Sequence, residues 1–466
     1  MKAKILEKKK SFSVGQVIDC PVESLNSEGY GVSLVEGIAV LVRGAFPGEL
    51  VRAKLTFAGR RECFAEMVKV LRRSPLRLAK ASCGNSPACD GCPLIRMNYQ
   101  GQLDWKSQMV QEFIRHYPSL ASASVHPVIP SAKPLGYRNS AKLVIAGKFA
   151  EPRIGMYRTG SHEVVDTGDC PLHHPLVNRV VKAVKEGIRK GRVPVYSQRT
   201  GSGILRYLVV RVSESDNRAM VVFVTAQRSF NEIHHLAKYL QAQVPEVAVV
   251  AQNVNSSAGN VIMGQHDHFV TREHALTDKI GDSKFLISPR SFFQVNNSGA
   301  RTIYGQVLEW CELSGKETVV DMYCGVGGIS LFLAGRAKEV IGYETVAEAV
   351  ADAEKNARLN GVRNCRFEAG DAADLLEEMR EEGGKADLIV LNPPRKGCEE
   401  KVLKNVAALG PKKVLYVSCS PMTLARDLDL LAGLGFRTLE IQPVDMFPQT
   451  PHVENVALLV RERPKN

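Results

Sequence analysis

No run of 18 consecutive apolar residues occurs in the chain, so no membrane span is expected. The basic stretch Lys2–Lys10 is not followed by an apolar core, so no secretion signal is read. Cysteine is too sparse for a disulfide scaffold, with 11 in 466 residues. The thiols are therefore expected to be reduced or metal-bound, in a cytoplasmic protein. Internal repeats and low-complexity segments are missing too. Acid is in deficit, with 49 Asp and Glu against 61 Lys and Arg. That balance favours a polyanionic partner such as RNA or DNA. Over half of the excess sits in residues 1–80, which carry 15 Lys and Arg against 8 Asp and Glu.

Length predicts two to four domains, an apolar content of 44% allows sizeable cores, and the strand and helix patterns below make the chain an α/β multidomain protein. Residues 12–74 show short β-type runs at Val17-Ile18, Gly31–Leu34, Ile38–Val42 and Glu66–Val70, split by turns, as in a small β-barrel. Residues 75–281 read as a mixed α/β domain, with a helix over 94–117 and another near 230–243. Within it, Arg189, Lys190, Arg192, Arg199, Arg206 and Arg211 occur without an acid between them. They read either as a phosphate-contacting surface or as a solvated loop and strand face. Residues 282–466 alternate strands with helices, which indicates a mainly parallel, doubly wound, Rossmann-like sheet. Its strands are expected at 318–323, 339–344, 364–370, 386–391, 412–418, 436–444 and 453–461.

In such sheets ligands lie beyond the carboxyl ends of the strands. Asp321-Met322-Tyr323-Cys324-Gly325-Val326-Gly327-Gly328 follows the first strand, and its glycines allow a tight turn and close backbone approach. It is not the dinucleotide pattern Gly-x-Gly-x-x-Gly. Glu344 ends the second strand, where a carboxylate can hold ribose hydroxyls. Asp371 ends the third and can accept from an adenine amino group. Together these look like an S-adenosylmethionine site. Asn392-Pro393-Pro394-Arg395 ends the fourth strand, where two prolines stiffen the rim.

Cys419 ends the fifth strand in Ser418-Cys419-Ser420-Pro421, and Glu454 follows 35 residues later. A thiol and a carboxylate beside a cofactor loop suggest covalent catalysis with a general base. Cys83, Cys89 and Cys92 have C-x5-C-x2-C spacing, and Cys170 is the best fourth thiol. Spacing leaves an iron–sulfur cluster, zinc and unligated thiols all open.

The ordered set of cysteines, Ser288-Pro289-x3-Phe293-Gln294-Val295-Asn296, the Asp321 loop, Ser418–Pro421 and Pro451-His452-Val453-Glu454 resembles the RNA uracil-5-methyltransferases, specifically the bacterial 23S rRNA branch. Residues 12–74 also resemble the TRAM domain, an RNA-binding barrel. The resemblance implies a [4Fe-4S] cluster on Cys83, Cys89, Cys92 and Cys170. It implies S-adenosyl-L-methionine contacts from Gln294, Tyr323, Gly328, Glu344, Asp371 and position 392, with Cys419 and Glu454 catalytic. It further implies 23S rRNA as substrate, with tRNA as the alternative, and a monomer without an obligate protein partner. One departure stands out: the family usually carries Asp-Pro-Pro-Arg, and here the first residue is Asn392. Asn-Pro-Pro is also similar to amino-group methyltransferases, which need no cysteine nucleophile. A non-catalytic RNA-binding or ribosome-assembly factor is a further alternative. A radical methylthio-transferase fits less well, because its cysteines are spaced C-x3-C-x2-C.

Overall fold

The structure is a computed structural model and describes residues 12–86, 88–257, 259 and 261–462. Among the described residues two compact units are present, one over 12–106 with 448–451 and the other over 107–447 with 452–462. Among the described residues, no helix is long and apolar enough to cross a membrane.

The first unit holds a six-stranded sheet. Its order is Val17–Pro21, Leu50–Ala58, Glu62–Arg72, Ile38–Arg43, Gly31–Val35 and Ser24–Leu25. Strand Leu50–Ala58 lies outside the β-type runs read from the sequence. Its alternation is clear in the fold, with Val51, Ala53 and Leu55 inside and Arg52, Lys54 and Thr56 outside. These residues join Cys20, Val40, Val42, Cys63 and Ala65 in a small core. Buried Glu49 is held by Arg77, with Nη2 donating at 2.8 Å, and by the Phe46 amide at 2.9 Å. The helix Tyr99–Arg115 begins here. Gln102 and Gln449 form a reciprocal pair: Gln102 Nε2 donates to Gln449 Oε1, and Gln449 N to Gln102 Oε1, both at 2.9 Å.

The second unit contains two large sheets. One is seven-stranded, ordered Val164–Asp166, Glu151–Tyr157, Ser140–Lys148, Leu205–Ser213, Arg218–Thr225, Val247–Val254 and His266–Phe269. Helices Pro175–Lys190 and Ile233–Gln243 share the core formed on one of its faces. The basic stretch seen in the sequence divides here. Arg189, Arg192 and Arg199 are exposed, whereas Arg206 and Arg211 are buried. Arg206 Nη1 donates to the carbonyls of Asn255 and Ser257, at 2.5 and 2.8 Å. Burial pulls the Arg211 guanidinium down to about 10. The reading of all six cations as one phosphate surface therefore fails at these two. A charge pattern in sequence does not say which side of a strand each residue occupies.

The other sheet is ordered Cys365–Ala369, Glu339–Glu344, Thr318–Met322, Leu388–Leu391, Lys413–Ser418, Glu454–Arg461, Phe436–Val444 and Ser124–Val125. The first five strands are parallel, and Glu454–Arg461 runs antiparallel to both its neighbours. Their near-continuous apolar runs suit strands covered on both faces. Strand order reverses beside Thr318–Met322, between the connections to Glu339–Glu344 and Leu388–Leu391. That switch point opens the crevice where ligands bind in such sheets.

Candidate active site

Beyond the strand ends lies a cavity of about 1410 Å³. Gln294, Tyr323, Gly328, Glu344, Asp371, Asn392, Cys419 and Glu454 all line it. The eight residues named from the sequence for cofactor binding and catalysis thus meet in one place.

The loop after Thr318–Met322 is set by backbone geometry. Tyr323, Gly325 and Gly327 have φ of 61°, 56° and 82°. A side chain tolerates that left-handed region poorly, so Tyr323 is held in a sparsely populated conformation. Its hydroxyl bonds the Cys398 thiol. Cys398 N in turn donates to Asp427 Oδ2 at 2.7 Å, and the Tyr416 hydroxyl donates to the same oxygen at 2.5 Å. A Cβ on Gly325 would meet nothing within 4 Å, so this backbone faces open space. Gly328 is tight instead: a Cβ there would sit 2.6 Å from the Tyr304 hydroxyl.

Three carboxylates surround the loop. Glu344 accepts from Gly325 N at 3.1 Å and from Val346 N at 3.0 Å, tying the second strand to the loop. Asp371 caps helix Ala372–Glu381, accepting from Ala373 N at 2.8 Å. Asp321 is fully buried; its Oδ2 accepts from Ser330 at 2.5 Å, and its Oδ1 meets no hydrogen-bond partner among the described residues. Burial pushes its carboxyl up to about 7. The open Gly325 backbone, Glu344 and Asp371 fit an adenosyl cofactor, offering close backbone approach and acceptors for hydroxyl and amino groups.

Gln294 reaches the cavity from a segment pinned by amides. Asn139 Nδ2 donates to the Gln294 carbonyl at 3.0 Å, and Asn296 Nδ2 to the Met446 carbonyl at 2.8 Å. Asn296 also caps helix Asn297–Cys311. The Gln294 side chain bonds buried Tyr304, a cavity residue that the sequence reading missed. No motif surrounds Tyr304, and its role emerges only from helix placement.

Cys419 and Glu454 meet through strand register. The ladder pairs Ser418 with Asn455, so one further step sets Cys419 opposite Glu454. Asn455 Nδ2 secures the turn by donating to the Ser418 carbonyl at 3.2 Å. Ser420 caps the following helix, Pro421–Gly433. Burial pushes the Cys419 thiol up, and the facing Glu454 charge adds to this. Arg395 opposes both effects with a hydrogen bond and its charge. Burial likewise pushes Glu454 up to about 7, against the pull of Arg395. Arg395 belongs to a motif read from the sequence, yet this contact was not foreseen. Thr423 Oγ1 fixes its backbone, donating to the Arg395 carbonyl at 3.2 Å.

Cys83, Cys89 and Cys92 belong to the first unit and Cys170 to the second. Among the described residues, no group of three or more His, Cys, Asp or Glu side chains is arranged to hold a metal ion. The implied [4Fe-4S] cluster is thus not supported among the described residues.

Comparison with known proteins agrees with the fold. The family model described as tRNA (Uracil-5-)-methyltransferase matches residues 98–462, and the TRAM domain model matches residues 12–68. An uncharacterized RNA methyltransferase of Geobacter sulfurreducens is 61% identical over 97% of this chain and 91% of its own length. One from Halalkalibacterium halodurans is 39% identical over 95% of this chain and 96% of its own. The crystal structure of Pyrococcus abyssi tRNA (uracil-54, C5)-methyltransferase in complex with S-adenosyl-L-homocysteine superposes with a TM-score of 0.77. It is 28% identical and covers 95% of this chain and 100% of that one. An S-adenosylmethionine-dependent RNA methyltransferase is the class that fold and cavity define. The chain belongs to the tRNA (uracil-5-)-methyltransferase family and carries a TRAM domain.

Proposed function

We propose that the enzyme methylates carbon 5 of a uridine in RNA through a covalent Cys419 adduct, with Glu454 as the base. The observation that carries this reading is the convergence of Cys419, Glu454 and Arg395 on the cavity of the Gly-rich loop, where both charges act on the thiol. Carbon 5 of uracil is a poor nucleophile, whereas carbon 6 accepts a thiolate as the β position of an enone. Cys419 Sγ bonds carbon 6, and the carbon 5–carbon 6 electron pair moves into an enolate. S-adenosylmethionine, when bound, supplies an electrophilic methyl group to carbon 5. Glu454 then takes the carbon 5 proton, the ring double bond re-forms, and the carbon 6–sulfur bond breaks.

Arg395 favours the thiolate, against the burial that disfavours it. Gln294, Tyr323, Gly328, Glu344, Asp371 and Asn392 would hold the cofactor. Asn392 keeps an acceptor where the family usually has a carboxylate, and it adds a donor. A stacked base cannot reach Cys419, so the target uridine must be unpaired or flipped out. The ordered cysteine and TRAM motifs resemble the 23S rRNA branch and favour 23S rRNA as substrate, while the family model and the solved neighbour, both named for tRNA, make tRNA the alternative. The reaction needs no electron, so no step passes through the four cysteines. Iron and acid-labile sulfide, measured on protein purified without oxygen, would decide whether they hold a [4Fe-4S] cluster.

Cys419→Ala tests the mechanism. Incubated with RNA and S-adenosylmethionine, it is expected to form neither methylated product nor an RNA adduct resistant to denaturation. Normal turnover would refute the thiol mechanism and favour amino-group methylation through Asn392-Pro393-Pro394.

A further inference from the structure

A second cavity, of about 870 Å³, opens in the seven-stranded sheet, formed by strands Ser140–Lys148, Glu151–Tyr157 and Leu205–Ser213 and the loop 194–203. Its lining contains no Asp or Glu. Lys148, Arg153 and Arg199 lie on it, all exposed, and none makes an ion pair among the described residues. Aromatic rings lie between them. Tyr157 meets His162 edge-on, with centroids 5.9 Å apart and planes at 89°. The Tyr157 hydroxyl accepts from Gln198 Nε2 at 3.1 Å and also bonds Tyr207, which fixes the ring. Arg206 lies 5.0 Å from the Tyr196 centroid and 5.5 Å from that of Tyr207. Its guanidinium already serves the Asn255 and Ser257 carbonyls, so it stiffens the wall.

Cations around fixed rings, in a lining free of acid although Glu151 stands across the strands from Lys148, offer what a single strand of nucleic acid requires: charge for its phosphates and a face for a base. We infer that this cavity binds an unstacked nucleotide of the RNA substrate, with the base against Tyr157 and the phosphates on Lys148, Arg153 and Arg199. The inference rests on the RNA-methylating reading and adds to it a second anchor. Cross-strand partners place Tyr157, Val144 and Tyr207 on the same sheet face as Phe269, which lines the catalytic cavity. Five strand spacings separate Glu151–Tyr157 from His266–Phe269, roughly 24 Å at the usual interval. An extended single strand of a few nucleotides bridges such a distance. The anchor would hold the RNA while one uridine enters the catalytic cavity.

The test uses the full chain and a fluorescein-labelled short single-stranded oligoadenylate, with a duplex of equal length for comparison. Anisotropy titrations are run over a salt series. Binding needs no turnover, so failure of methyl transfer leaves this test intact. The triple variant Lys148→Ala/Arg153→Ala/Arg199→Ala changes only exposed side chains. It is expected to bind the single strand at least roughly tenfold more weakly, with a log–log salt slope reduced by about 2. Tyr157→Leu is expected to lose about tenfold while keeping the slope. S-adenosyl-L-homocysteine binding, followed by calorimetry, stays unchanged in both variants. Wild-type affinity and slope in the triple variant would overturn the inference. So would an equal loss for duplex and single strand, which would mark a general electrostatic surface without a base pocket.

Discussion

Glu49 and Glu454 show two ways of keeping a carboxylate inside a protein. Glu49, in the first unit, has both oxygens occupied by Arg77 and the Phe46 amide. Glu454, at the catalytic cavity, faces a thiol, with Arg395 as the cation acting on it, and sits near 7. Asp321 goes further, with one oxygen on Ser330 and the other meeting no hydrogen-bond partner among the described residues. A satisfied carboxylate holds structure together. An under-satisfied one costs stability and keeps a proton exchangeable near neutral pH, as an acid–base site requires.

The largest expected contrast comes from Glu454→Gln. Turnover is expected to fall by at least about a hundredfold, the usual scale for losing a general base. The covalent RNA adduct should accumulate on denaturing gels. Free release of methylated RNA would remove Glu454 from the base role. In the wild type, single-turnover rates are expected to rise with pH across the region near 7 as Glu454 ionises. Glu454→Gln should lose that limb.

Arg77→Met comes next. Leaving the Glu49 charge buried and unpaired is expected to cost about 3–5 kcal/mol in denaturant unfolding. Loss of less than about 1 kcal/mol would erase the contrast between the two carboxylates.

The smallest effect belongs to Asp321→Asn. The folded chain keeps the Asp321 proton up to about 7, whereas the unfolded chain releases it near 3.8. Stability therefore falls as pH rises between those values, by up to about 1.4 kcal/mol per unit, and levels off above 7. The amide introduced by this substitution cannot ionise, so melting curves from pH 5 to 8 should lose part of that slope. An unchanged slope would place the proton linkage elsewhere.

Which parts of this arrangement are legible in sequence follows from what the sequence encodes directly. The strands of the catalytic sheet are apolar runs, and Thr318–Met322, Glu339–Glu344 and Lys413–Ser418 lie where their residues predict. The cavity residues sit at strand ends, which topology alone brings together. Leu50–Ala58 escaped because Arg52 and Lys54 interrupt its apolar residues, although period-two alternation was there to be read. Arg206 and Arg211 looked like surface charge because sequence does not reveal which face a strand turns outward. Tyr304 and the Arg395–Cys419 contact depend on packing between elements distant in the chain. The cysteine spacing was ambiguous from the start, and the side-chain arrangement did not resolve it in favour of a cluster.

The four residues Pro448–Pro451 carry a consequence for how the chain is made. They complete the first unit through the Gln102–Gln449 amide pair and the Leu94 N–Gln449 O bond at 3.2 Å. The ribosome must translate the intervening stretch, residues 107–447, before this last piece emerges. At typical elongation speeds that delay is roughly 20 to 70 seconds. Most of this unit is thus made long before the four residues that complete it. Throughout that wait, the Gln102 side chain lacks its mate.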